Sequence, residues 1–136
     1  MAEKRHPRGL IDTSVVIDLE QIDAHELPLE VAVSAVTMAE LAAGPHATAD
    51  PAERARRQDR LQRAEATFEP LPMDAEVARA YGRVYAAVAA SGRKARGRRA
   101  VDLFIAATAV AAGLPLYTRN PDDFVGLSDL LEVVSV

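Results

Sequence analysis

Apolar positions fall in short runs and longer helical stretches that alternate along the chain. Gly9-Leu10-Ile11 is a brief run that stops at Asp12, which predicts a strand followed at once by the helix-start pair Thr13-Ser14. Val15, Val16, Ile17 and Leu19 continue as a short helix that dissolves between Asp23 and Pro28. Val31 to Val36 is β-branched enough for a second strand, and Thr37-Met38-Ala39-Glu40 opens a helix that Gly44-Pro45 stops. Ala52 to Phe68 reads as a highly charged helix ended by Pro70 and Pro72. The clearest amphipathic helix runs from Asp74 to Ser91, with Val77, Ala78, Tyr81, Val84, Tyr85 and Val88 on one face. Asp102 opens a helix that is apolar nearly all round from Leu103 to Ala112, so it belongs in the interior. Leu114 to Thr118 and Leu131 to Val136 read as strands, with a turn at Arg119 to Asp123 after the first.

Strands alternating with helices predict an α/β fold with a mostly parallel central sheet flanked by helices. The 136 residues suit one domain over 1–136, with 1–7 expected as a flexible N-terminal extension. At 49% hydrophobic and 26% charged, the chain has enough apolar material for a core. The absence of cysteine excludes a disulfide framework, a thiolate zinc site and a cysteine nucleophile. His6, His25 and His46 lack ligand spacing. No apolar run approaches the ~20 residues that span a bilayer, so a cytoplasmic protein without membrane contact is expected.

Ligand sites of parallel sheets lie beyond the carboxyl ends of their strands. Four acidic positions meet that condition: Asp12 after the first strand, Glu40 in the first turn of the next helix, Asp102 at the head of the apolar helix, and Asp122-Asp123 after Thr118. Carboxylates gathered in one crevice repel unless a cation neutralises them, and Mg²⁺ or Mn²⁺ suits hard oxygen ligands. Each acid also has a plainer reading. Asp12 can cap the following turn, Thr37 and Glu40 match a capping box, Asp102 can be an N-cap, and Asp is common in Asn-Pro turns.

Net charge is −4, from 16 Lys and Arg against 20 Asp and Glu. A protein of that sign acting on a polyanion needs a local basic region. Arg93, Lys94, Arg96, Arg98 and Arg99 supply one just before Asp102, suited to phosphates or simply to water. Arg54 to Arg63 reads as an exposed helix face. With aromatics at 4%, a stacking platform for single strands is not expected.

Gly9-Leu10-Ile11-Asp12-Thr13-Ser14-Val15-Val16-Ile17-Asp18 and Ser34-Ala35-Val36-Thr37-Met38-Ala39-Glu40-Leu41 resemble the opening motifs of PIN domains. Asp102-Leu103-Phe104-Ile105-Ala106-Ala107-Thr108-Ala109 and Leu116-Tyr117-Thr118-Arg119-Asn120-Pro121-Asp122-Asp123-Phe124 are similar to the later ones. The resemblance is to VapC-type toxins, the ribonuclease halves of bacterial toxin–antitoxin pairs. It runs from about residue 8 to the C-terminus.

That resemblance implies a Mg²⁺-dependent endoribonuclease, with Mn²⁺ able to substitute. Asp12, Asp102 and Glu40 would be the metal ligands and, with Asp123, the catalytic acids. The fourth position departs from the family pattern, because Asn120 stands where an acid is common, leaving Asn120, Asp122 and Asp123 open. Thr13, Ser14 and Thr118 are placed to orient carboxylates or water. The family also implies an RNA substrate, a homodimer, and a cognate VapB-type antitoxin that forms a hetero-oligomer with the toxin.

Other classes fit less well. A haloacid-dehalogenase-like phosphatase needs an acid where Ser14 stands, a receiver domain needs a lysine where Arg119 follows Thr118, and no G-x-G-x-x-G occurs. The remaining alternative is a catalytically inactive PIN-like scaffold that binds RNA or protein.

Overall fold

The computed structural model describes residues 5–93 and 97–136. Four strands, β1 (Arg8–Ile11), β2 (Glu30–Ala32), β3 (Leu116–Thr118) and β4 (Val133–Ser135), form one sheet in the order β2-β1-β3-β4. All its strand pairings are parallel, with Leu10 opposite both Ala32 and Leu116, and Tyr117 opposite both Ile11 and Val134. Helices α1 (Thr13–Ile17), α2 (Ala35–Ala43), α3 (Pro51–Thr67), α4 (Ala75–Ala90) and α5 (Arg98–Ala112) cover it.

Side chains along a strand alternate between faces, so Leu10 and Ile11 point to opposite cores. Leu10 and Leu116 pack with Val77, Val84 and Val88 of α4 and with Leu103, Ile105 and Ala109 of α5. Ile11 and Tyr117 pack on the other side with Val15 and Val16 of α1, Leu41 of α2 and Ala64 of α3. The all-round apolar pattern of α5 is realised: Leu103, Ile105, Ala106, Ala107 and Ala109 are all buried. Tyr81 and Phe104 stack at 4.1 Å where α4 meets α5.

Capping sets most helix ends. Asp74 accepts from the Val77 amide at 3.0 Å and Ser91 closes α4, as the sequence predicts. Asp50 caps α3, whose first residue is Pro51. Gly113, at φ +67°, ends α5 in the left-handed conformation that suits glycine.

Strands β3 and β4 are shorter than the expected runs Leu114 to Thr118 and Leu131 to Val136, and three further boundaries differ from expectation. The second strand ends at Ala32, because Val33 and Ala35 exchange backbone hydrogen bonds with Leu71. Ser34 then caps α2 by accepting from the Thr37 amide, so this helix starts two residues early. Helix α5 begins at Arg98 rather than Asp102, with Gly97 as its N-cap residue. The basic run therefore supplies its first turn.

Residues 1–4 of the expected flexible extension lie outside the described residues. Arg5 and His6 are held in place. The Arg5 guanidinium donates to the carbonyls of Leu27 and Ala24 at 3.0 and 2.9 Å, and His6 Nε2 lies 2.8 Å from Glu132.

Candidate active site

Asp12 leaves β1 at the carboxyl edge of the sheet and is only 5% exposed. It is the N-cap of α1, accepting from the Val15 amide, which is the plainer reading of this residue made real. Capping occupies only part of the carboxylate. Oδ1 also accepts from the Ser14 hydroxyl, and Oδ2 accepts from Thr118 Oγ1 at 2.6 Å. Thr118 in turn accepts from the Asn120 amide at 3.0 Å, and Ser14 Oγ accepts from the Arg119 amide at 3.1 Å. The ends of β1 and β3 are thus joined through one buried carboxylate.

Glu40 sits in the second turn of α2, not the first, because Ser34 rather than Thr37 caps the helix. This removes the capping-box reading. Its partner is instead Thr13, whose Oγ1 lies 2.5 Å from Glu40 Oε1 and 3.1 Å from Thr37 Oγ1. The Thr13-Ser14 step therefore serves both carboxylates, Ser14 binding Asp12 and Thr13 binding Glu40. Two of the three residues expected to orient the acids stand next to each other in sequence for this reason.

Asp102 is half-buried in the second turn of α5 and is not an N-cap. Helix α5 ends at Gly113, just before β3, so its first turns lie toward the carboxyl edge where Asp12 emerges. Its start meets a 3₁₀ turn, Pro121–Phe124, that follows β3. Arg93 donates to the Asp122 carbonyl at 3.1 Å and Arg99 to the Asp123 carbonyl at 3.4 Å. Asp123 is half-buried, while Asp122 and Asn120 are exposed. Of the basic run, Lys94 and Arg96 lie outside the described residues, as does the side chain of Arg98.

Among the described residues, no three His, Asp or Glu side chains form a group arranged to hold a metal ion. Hydroxyls of Ser14 and Thr118 bind Asp12, and that of Thr13 binds Glu40. The donors still suit Mg²⁺, which takes one or two carboxylates and keeps several waters.

Residues 10–128 match the family model described as PIN domain. The chain is also 40% identical over 128 residues to Ribonuclease VapC5 of Mycobacterium tuberculosis, covering 92% of this chain and 91% of that protein. The chain belongs to the PIN-domain family, in its VapC group. Ribonuclease VapC4 of the same organism is 36% identical over 133 residues, covering 95% of this chain and 97% of that protein. Among solved structures, VapBC-5 of Mycobacterium tuberculosis, a member of the VapBC family of toxin-antitoxin systems, matches with a TM-score of 0.83. Identity there is 39%, over 96% of this chain and 99% of that one.

Sequence reading named Thr13, Ser14 and Thr118 from their position alone. It missed the role of Ser34, which caps the helix that carries Glu40. It also passed over Arg119, whose amide reaches Ser14 and whose side chain lies 3.5 Å from Asp18.

Proposed function

We propose that this protein is the toxin of a type II toxin–antitoxin pair, a Mg²⁺-dependent endoribonuclease that hydrolyses RNA phosphodiester bonds. The observation that carries the reading is the buried Asp12 carboxylate, held by Ser14 and Thr118, with Glu40 held by the adjacent Thr13. The ribonuclease names of its VapC relatives support it.

Asp12, Glu40 and Asp102 would hold the ion, with Asp123 or the Asn120 carbonyl beside a second one. A bound divalent ion supplies a water of lowered pKa and neutralises charge on the leaving oxygen. The chain's own contribution is orientation. Ser14 and Thr118 fix the Asp12 carboxylate, and Thr13 fixes Glu40, so neither must reorganise when substrate arrives.

The likeness to VapBC-5, a member of the VapBC family of toxin-antitoxin systems, supports a VapB-type antitoxin as partner. A cleft of about 320 Å³ between α1 and α3, lined by Ile17, Leu19 and Phe68 together with Arg60 and Arg63, suits the apolar side of such a segment. A homodimer and a toxin–antitoxin hetero-oligomer complete the proposal, and a toxin acting on cellular RNA would work in the cytoplasm. No described helix is long and apolar enough to cross a membrane.

The alternative reading is a catalytically inactive PIN-like scaffold that binds RNA or protein without cutting. RNA incubated with the purified protein and Mg²⁺, Mn²⁺ or EDTA separates the two. Metal-dependent cleavage supports the nuclease; binding without cleavage under every metal supports the scaffold.

A further inference from the structure

Carboxylates at the mouth of an acidic protein repel an RNA strand, so a cation must stand close to them. Arg93 and Arg99, the described arginines of the basic run, direct their guanidinium groups to the carbonyls of Asp122 and Asp123. Arg119 is placed differently. Its amide donates to Ser14 Oγ at 3.1 Å, and that hydroxyl donates to Asp12, so its backbone is fixed two hydrogen bonds from the buried carboxylate.

The Arg119 side chain leaves this anchored backbone toward Asp18, with Nε 3.5 Å from Oδ2. Both side chains are about one-third exposed, at 35% and 38%. Exposed pairs of that length are weak and dissolve in salt. Asp18 has no capping duty: it is the C-cap of α1 and the N-cap of the following 3₁₀ turn, yet its side chain caps neither. A carboxylate at a helix C-terminus gains nothing from the helix dipole.

We propose that Arg119 is a substrate-positioning cation that exchanges Asp18 for a backbone phosphate of the RNA beside the scissile one. Asp18 keeps the guanidinium extended along α1 until the strand arrives, and competes with it. This rests on the ribonuclease reading and adds a residue to it. The planar guanidinium fits a phosphate in two-point fashion, which a lysine ammonium does not.

The test compares the full-length wild type with Arg119→Ala, Arg119→Lys and Asp18→Asn. A labelled single-stranded RNA oligonucleotide is titrated in EDTA across a salt series, and initial cleavage rates are measured with Mg²⁺. Arg119→Ala should weaken binding about tenfold and reduce the salt slope by about 0.7, the share of one phosphate on a single strand. It should raise KM more than it lowers kcat. Arg119→Lys should restore the slope but only part of the affinity. Asp18→Asn should move the other way, tightening binding at low salt, because it removes the competitor.

If Asp18→Asn and Arg119→Ala both lose thermal stability and cleavage together with unchanged salt slopes, the pair is merely structural and the proposal fails. Should Arg119→Ala not fold, opposite shifts in Arg119→Lys and Asp18→Asn decide the matter. A wild type that cuts RNA while all variants keep its slope overturns only this inference. A wild type that neither binds nor cuts RNA removes the ribonuclease reading with it.

Discussion

Thr118 Oγ1 donates to Asp12 Oδ2 at 2.6 Å although 106 residues separate the two in sequence. Both are buried, at 0% and 5% exposure. Two parallel strands that are neighbours only in space are thereby tied at their carboxyl ends by a charge-assisted hydrogen bond. The same hydroxyl accepts from the Asn120 amide, which fixes the start of the turn carrying Asp122 and Asp123.

Replacing Thr118 by Val keeps the shape of the side chain and removes both bonds. A buried carboxylate oxygen and the Asn120 amide then lose a partner, which costs about 1–3 kcal/mol. Urea denaturation should show that loss, and RNA cleavage should fall as Asp12 loosens. Thr118→Ser should recover most of both.

Ser34 is 0% exposed and caps α2 through the Thr37 amide at 3.0 Å. Ser34→Ala should cost about 0.5–2 kcal/mol by removing that cap. Since α2 carries Glu40, cleavage should decline further than the shift in denaturation midpoint explains. Loss of stability with full cleavage would show that Glu40 is not needed where α2 puts it.

Gly9 tolerates no side chain. A Cβ there would stand 2.6 Å from Tyr117 Cε1 and 3.1 Å from Pro28 Cγ. The Tyr117 ring is 3% exposed within the core and cannot swing aside. Gly9→Ala gains about 0.4–1 kcal/mol through the unfolded chain but loses about 1–3 kcal/mol to overpacking. The net outcome is a lower melting temperature, and Gly9→Ala combined with Tyr117→Leu should recover part of it.

Burial holds the Tyr117 phenol above its ordinary pKa of 10.0, and the Glu132 charge adds to this, while Arg5 acts in the opposite direction. A folded-state pKa above the unfolded one means that the contribution to stability is complete below pH 10 and is lost as pH rises through the folded value. Denaturation midpoints should therefore fall on the alkaline side in the wild type and fall less in Tyr117→Phe. Ultraviolet titration of the wild type against Tyr117→Phe should show Tyr117 ionising above its ordinary value.

Much of the architecture was legible because it depends on local chemistry. Asp74 and Ser91 bound α4 with side-chain caps that read directly from the chain. The apolar run of α5 announces burial on most faces. What escaped depends on distant partners. Strand β2 stops early because Leu71, far along the chain, takes over its hydrogen bonds, and the helix then starts at Ala35 rather than Thr37, with Ser34 as its cap. Helix α5 extends back through Arg98 because its first turn needs no apolar face, so hydrophobic periodicity could not mark it.

The acids show the same division. Asp12 and Glu40 are recognisable from their places after strands, and Ser14 and Thr13 from adjacency. Their hydroxyl network, and the Arg119–Asp18 pair beside it, exist only once β1 and β3 are side by side.

The most direct measurement is cleavage of cellular RNA by the wild type and by Asp12→Asn, each with Mg²⁺ or EDTA. Asparagine still caps α1 through its Oδ1, so the variant should fold, with a lower melting temperature because an amide nitrogen meets the Thr118 hydroxyl where a carboxylate oxygen accepted, while the carboxylate charge is gone. Discrete fragments from the wild type with Mg²⁺, absent in EDTA and from Asp12→Asn, are the predicted result. Equal cleavage by a folded Asp12→Asn, or cleavage undiminished by EDTA, would contradict the account.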